Sequence, residues 1–340
     1  MLVLGLESSC DETAAALVTG DGRVLSSRIA SQIATHKAYG GVVPEVAARA
    51  HLEHIEQLVT EAFAEAGVGL GDLTAIASTA GPGLIGGLMT GVMFGRALAS
   101  ARKLPWLGIN HLEGHALTAR LTDKVAYPYL LLLVSGGHTQ ILDIRAPGDY
   151  RRLGTTIDDA AGECFDKSAK ILGLGYPGGP ALEKAAQGGD VRRYALPHPM
   201  KGRAGCDFSF SGLKTAVRNE VAKLGEMDEQ QRRDIAASVQ EAIAVTLADR
   251  VANALAMLAQ KPTALVVSGG VAANTRVRSI LQGLAQQHGL PFVAPPLNLC
   301  GDNAAMIAWA AIERLQAGLG PEDDGHPRPR WSLDTRQKAA

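Results

Sequence analysis

The sequence carries no excess of charge of either sign. Its 33 lysines and arginines face 34 aspartates and glutamates, for a formal net charge of -1, so no overall positive field announces a nucleic-acid partner. Any RNA contact has to come from a local patch or from a partner subunit. Candidate patches are Arg145 with Arg151 and Arg152, Arg192 through Arg203, and Lys214 with Arg218, although such runs are more often simply solvated faces. Cysteine is scarce: Cys10, Cys164, Cys206 and Cys300 form no CxxC pair. That suggests neither a zinc knuckle nor a disulfide framework, and reduced thiols in a cytoplasm are the expectation. No apolar run approaches the roughly 20 residues of a membrane-spanning helix. The first residues hold no basic region and reach Glu7 at once, which argues against a signal peptide. Aromatics make up only 4%, but 46% hydrophobic residues over 340 positions suffice for two soluble domains with a core each.

What is present is a pair of similar stretches. In Leu104-Pro105-Trp106-Leu107-Gly108-Ile109-Asn110-His111 a short apolar strand ends at Ile109, and Asn110 is a good N-cap for a helix. On that helix His111 and His115 lie four apart, so two imidazoles share a face. A bare HxxxH is more often a polar pair at a helix start. A second stretch, Leu290 to Ala304, repeats the plan of Leu-Pro, short strand, turn and helix, with Asp302 where the first opens on His111. If this likeness is the trace of a duplication and both helix starts meet in a cleft, then His111, His115 and Asp302 form a two-His, one-carboxylate metal site.

The rest of the chain supports two copies. Met1 to Glu7 and Thr13 to Val18 read as strands around a polar tip holding Asp11 and Glu12, with a third strand at Arg23 to Ser31. Thr35 to Gly41 reads as a flexible loop able to touch a substrate. Pro44 opens a long amphipathic helix on which His51 and His54 are expected to be solvated. Leu73 to Ser78 leads into the glycines of Gly81 to Gly87, an anion-friendly arrangement whose plainer role is close helix–sheet packing. Pro128 to Val134, the turn Ser135-Gly136-Gly137-His138 and Thr139 to Ile144 answer the opening hairpin, and Thr263 to Thr275 answers the Gly81 segment. The alternation predicts α/β domains with mixed sheets: one over 1–125, a second over 126–320 with an insertion at about 150–234, then an extended arm over 321–340.

Two chemistries can be weighed on residues alone. Glu113 stands one place later than the base of a zincin HExxH. It lies roughly 200° from His111 and roughly 160° from His115 at about 100° per residue, so it faces away from a metal and suits a capping box instead. The chain is therefore not expected to be a protease. A sugar kinase or actin-like ATPase would place small residues around its triphosphate, whereas Asp11 and Glu12 at the first tip would repel one.

Several segments in order resemble a known family. Leu4 to Thr13, His36 to Glu45, His111 to His115, Val134 to Thr139, Gly269 to Asn274 and Cys300 to Asn303 are similar to the tRNA N6-adenosine threonylcarbamoyltransferases of bacterial type, once taken for O-sialoglycoprotein endopeptidases. The resemblance runs over about residues 1–334. It implies an actin/sugar-kinase/Hsp70-like fold with two duplicated α/β domains. It also implies transfer of threonylcarbamoyl from threonylcarbamoyl-adenylate to N6 of adenosine 37 in tRNAs reading codons that start with A. It assigns His111, His115 and Asp302 to one divalent metal ion, Fe2+ or alternatively Zn2+. Val134, Ser135, Gly136, Gly137, His138, Asp166, Gly179, Glu183 and Asn274 are assigned to the adenylate, Asp166 having a plainer alternative as a partner of Lys170. Asp11 or Glu12 is the candidate base for the attacking amine, unless both merely orient the substrate or a metal-bound water. A paralogous actin-like subunit and a small P-loop ATPase are the implied partners, with no membrane. A scaffold that keeps the fold without turnover is the reading from a different class, and metal content would tell the two apart.

Overall fold

The structure, a computed structural model, describes residues 1–37, 39, 41–320 and 325–334. The chain divides into two units. One takes Met1–Lys124, Ala146–Tyr150 and the chain from Gly301 on; the other takes Val125–Arg145 and Arg151–Cys300.

In the first unit, strands β1 (Leu2–Glu7), β2 (Glu12–Thr19) and β3 (Val24–Ser31) form an antiparallel meander. The short helix α1 (Ile33–Lys37) and the long helix α2 (Pro44–Ala66) follow, then β4 (Ala75–Gly81), α3 (Ile85–Arg102), β5 (Trp106–Asn110) and α4 (His111–Asp123). The sheet order is β3-β2-β1-β4-β5, with β4 and β5 parallel to β1. Every residue of β1 is buried, as expected for a central strand covered on both faces. α2 opens with Pro44 in its first turn, where a missing N–H costs nothing, and stops at Gly67 in the left-handed region.

The second unit repeats the order. Its strands are β6 (Tyr129–Val134), β7 (Thr139–Ala146) and β8 (Asp149–Thr155), followed by helices α5 (Ala161–Ile171), α6 (Gly178–Ala185), α7 (Ser211–Leu224) and α8 (Glu229–Met257). Then come β9 (Leu265–Ser268), α9 (Thr275–Gln287), β10 (Phe292–Val293) and α10 (Leu297–Cys300). The sheet runs β10-β9-β6-β7-β8, with β6 antiparallel to β7 and parallel to β9. Strand for strand this is the topology of the first sheet, so the expected duplication and mixed sheets are present. One core joins β6 and β9 to α5, α7 and α8 through Leu132, Phe165, Leu213, Val217, Leu247 and Val267.

The last helix, α11 (Ala304–Gln316), differs from the sequence-based division. It belongs to the first unit, packing on β1, β2 and α4. Gly5 permits this: a Cβ built there would stand 2.2 Å from the Ala304 carbonyl oxygen and 2.7 Å from Ala308 N. The arm differs too, for its described part packs back. Arg328 N–H donates to Ala80 O at 2.6 Å, Gly83 N–H donates to Pro329 O at 3.2 Å, and Trp331 is buried beside Ala80 and Val92. The remaining positions of the arm, 321–324 and 335–340, lie outside the described residues.

Candidate functional site

The metal candidates all fall in the first unit. Asn110 accepts a hydrogen bond from Leu112 N–H at 2.9 Å and starts α4, so His111 and His115 stand on its first turns with ring centroids 4.7 Å apart, edge to face. Asn303 likewise caps α11 by accepting from Met306 N–H at 2.9 Å, which places Asp302 just before that helix. Asp302 Oδ1 lies 3.1 Å from His115 Nε2 and 3.5 Å from His111 Nε2, and one atom of each residue falls within 4.8 Å of the others. Ligands at about 2.1 Å from a common ion are separated by about 3.0–3.4 Å when adjacent, so the spacings of Asp302 from the two imidazoles are close to those of neighbouring ligands on one divalent metal.

Behind His111 stands Glu7, buried at the end of β1. Its Oε2 is 3.0 Å from His111 Nδ1 and accepts from Thr79 Oγ1 at 2.6 Å, while Oε1 accepts from Ser9 N–H at 2.6 Å. Burial works against a charged imidazole, but the carboxylates of Asp302 and Glu7 outweigh it and hold the His111 pKa well above its ordinary value. Burial likewise pushes Asp302 up, and the charge of His111 overrides it, leaving Asp302 well below the usual carboxylate range. A buried carboxylate, Glu7, and a partly exposed one, Asp302, thus stand beside two imidazoles, a setting in which positive charge is stabilised.

Asp11 and Glu12 stand at the β1–β2 tip, as expected. Burial, then the charges of Asp302 and Asp11, push Glu12 up to about 9; a cation beside Asp302 would act in the opposite direction. Burial also raises the neighbouring Cys10 thiol, so it is not a thiolate at neutral pH. The tip rests on His51, whose Nδ1 is 2.8 Å from Thr13 Oγ1 and whose Nε2 is 3.1 Å from Cys10 O. His51 is therefore buried rather than solvated. His36, expected in a flexible loop, lies in α1 with Nε2 3.0 Å from Gln32 Oε1; Ala38 and Gly40 of that segment lie outside the described residues.

The glycines after β4 take the plainer of their two expected roles, packing: added Cβ atoms would meet Ser9 O at 2.5 Å from Gly83 and Ser8 O at 2.2 Å from Gly87. The anion-friendly backbone there is filled by the protein's own Ser9 and Pro329 carbonyls. Glu113 turns away from the triad, but not to a capping box. It accepts from Tyr150 Oη at 2.8 Å and from Arg314 Nη1 at 3.1 Å, a buried ion pair joining α4 to α11.

In the second unit a cavity of about 280 Å³ is lined by Gly136, Asp166, Gly179, Glu183 and Asn274 among the expected residues. Phe165, Gly162 and Pro177 line it as well and were not among the expected site residues. Val134, Ser135, Gly137 and His138 form the adjoining strand end and turn, where Ser135 N–H donates to His138 O at 2.8 Å. Gly162 lets α5 approach that turn, since a Cβ there would lie 2.5 Å from Ser135 O. Asp166 takes Gly178 N–H at 2.9 Å, and no Asp166–Lys170 ion pair occurs among the described residues. Burial raises its pKa despite the backbone donors. Glu183 accepts from Thr275 N–H at 2.8 Å, and Asn274 caps α9 while donating to Gln240 Oε1 at 2.9 Å. Both polar side chains are thus committed to shaping the wall.

Comparison with known proteins follows from this geometry. Residues 23–309 match the family described as tRNA N6-adenosine threonylcarbamoyltransferase. A protein of that name from Paramagnetospirillum magneticum is 57% identical over 345 residues, covering 100% of this chain and 99% of the relative. Among solved structures, HypF of T. kodakarensis superposes with a TM-score of 0.60 at 14% identity, covering 94% of this chain and 48% of that one. The ROK hexokinase of Thermus thermophilus gives 0.50 at 20% identity, covering 94% and 99%. At such identities these neighbours speak for the fold alone, which is of the actin/sugar-kinase/Hsp70-like class.

Proposed function

The chain belongs to the tRNA N6-adenosine threonylcarbamoyltransferase family, and from that premise we propose that it moves a threonylcarbamoyl group from threonylcarbamoyl-adenylate to N6 of adenosine 37 in tRNAs that read codons starting with A. The observation that carries the metal-assisted form of this reading is the cluster of His111, His115 and Asp302. Two imidazoles and one carboxylate with open positions suit Fe2+, with Zn2+ as the alternative. When bound, the ion would supply Lewis-acid polarisation of a phosphate or carbamoyl oxygen.

The chain's own residues do the remaining work. The donor is a mixed anhydride, so the N6 amine attacks the carbamoyl carbon, a C–N bond forms, the C–O bond to the phosphate breaks, and AMP leaves with the electron pair. The amine sheds a proton in that step, and Asp11 or Glu12 is positioned at the tip to take it. The cavity walled by Gly136, Phe165, Asp166 and Gly179 is the place for the adenylate moiety, apolar with a few fixed polar groups, as small-molecule sites generally are. Near-neutral net charge supports poor tRNA binding by the isolated chain, so a paralogous actin-like subunit and a small P-loop ATPase are its proposed partners in the cytoplasm. Among the described residues no helix is long and apolar enough to cross a membrane.

The test combines the metal-loaded chain, synthetic threonylcarbamoyl-adenylate, unmodified tRNA and the two accessory proteins, with nucleoside mass spectrometry as readout. Threonylcarbamoyladenosine at position 37 is expected from the complete mixture. Its absence there, or undiminished product with His115→Ala, would overturn the metal-assisted reading.

A further inference from the structure

Only one of the two imidazoles is held from behind. His111 Nδ1 faces Glu7 Oε2 at 3.0 Å, with Ser9 Oγ at 3.2 Å, whereas among the described residues no hydrogen-bond partner lies on the buried Nδ1 of His115. Glu7 is itself pinned from two sides, by the hydroxyl of Thr79 on β4 and by the amide of Ser9. With Nδ1 engaged by Glu7 at 3.0 Å, the other ring nitrogen, Nε2, is directed toward Asp302 at 3.5 Å, the orientation a ligand needs.

We infer that Glu7 is the positioning residue of the cation site. It is not a ligand. It anchors the His111 ring to the end of β1 and, because Thr79 holds its other side, to β4 as well. Through it the first turn of α4 is registered against the central strands of the sheet, and α11, packed on β1, brings Asp302 to the same frame. His115, lacking a partner behind it, depends on that frame for its own alignment. The inference rests on the metal-binding reading above and goes beyond it by assigning the orientation of the ligands to a residue outside the triad.

The experiment uses the full chain stripped of metal and titrated with Co2+ and Zn2+ against a competing chelator, for wild type, His111→Ala, Glu7→Ala and Glu7→Gln. The Co2+ d–d absorption bands report coordination geometry, and the melting temperature of the metal-free protein reports the fold. Glu7→Ala is expected to weaken cation binding by about 10–100-fold, the usual effect of removing such a partner, and to shift the Co2+ bands. Glu7→Gln keeps an oxygen acceptor and is expected to recover part of the affinity. A general packing defect would lower the melting temperature without shifting the bands. Wild-type affinity and bands in both Glu7 variants, alongside loss of binding in His111→Ala, would overturn the inference alone. No cation uptake by wild type would overturn the metal reading itself. If Glu7→Ala does not fold, Glu7→Gln decides: unaltered affinity and unaltered bands there refute the assignment.

Discussion

His111 and His115 were legible in the sequence because helical spacing is local, and four residues bring two side chains to one face whatever the rest of the chain does. Glu7 was not, since its partner lies 104 positions away; the available signal was a carboxylate closing an otherwise apolar strand. His51 was misread although a signal existed. It falls in the stripe Ala47, His51, Ile55, Leu58 and Ala62, whose members are all buried, so its place was the packed face of α2 and not the charged one. Two predictions belong at this scale. His111→Ala and His115→Ala should each purify with little or no bound metal, read by elemental analysis; a full equivalent in either would contradict the ligand assignment. The second concerns pH. Burial pushes Asp159 up, but hydrogen bonds from Lys167 at 2.9 Å and Lys214 at 3.1 Å outweigh it and depress its pKa. A depressed carboxylate contributes stability that is present above its unfolded value, about 3.9, and is lost as pH falls through the folded value. Melting curves from pH 6 to pH 3 should therefore fall more steeply for wild type than for Asp159→Asn, which has already lost the charge.

At the scale of elements, both opening hairpins and both strand–glycine–helix passages could be read from alternation and turn chemistry. The glycines themselves were ambiguous, because a residue without a Cβ serves a ligand and a crossing backbone equally well. Only the fold shows that Gly83 and Gly87 admit the Ser8–Ser9 backbone. β8 went unrecognised because Tyr150 onward falls in the expected insertion and Arg151 and Arg152 in a candidate basic patch; its pairing beside β7 supplies what the residues do not. The contact between β1 and α11 yields a prediction. Gly5→Ala forces a methyl to within 2.2 Å of the Ala304 carbonyl, and overpacking of this sort costs about 1–3 kcal/mol. Urea unfolding should show the loss, and the cation affinity should drop with it because Asp302 rides on α11. Unchanged stability would mean that the helix slides aside freely.

For the whole molecule, repetition was readable and ownership was not. Periodicity reveals that a pattern occurs twice, but which sheet the final helix covers depends on a close approach at Gly5 that no local pattern records. The division has a functional corollary: the three proposed metal ligands belong to one unit and the residues lining the cavity to the other. Each ligand can then be abolished separately. A Cβ at Gly179 meets nothing within 4 Å, so the backbone there admits a side chain, and Gly179→Val should narrow the cavity, abolish AMP binding in calorimetry and leave metal content intact. Conversely, metal-free His115→Ala should bind AMP as wild type does. Loss of both ligands in either variant would refute the separation.

Because α11 packs on β1 and the Arg328–Trp331 segment lies on β4, β1 waits during synthesis for a helix that begins only at Ala304 before it is covered. Translation that halts before Asp302 yields a polypeptide able to complete its middle portion yet lacking the third of the proposed ligands. What quality control meets in such a product is an uncovered apolar strand.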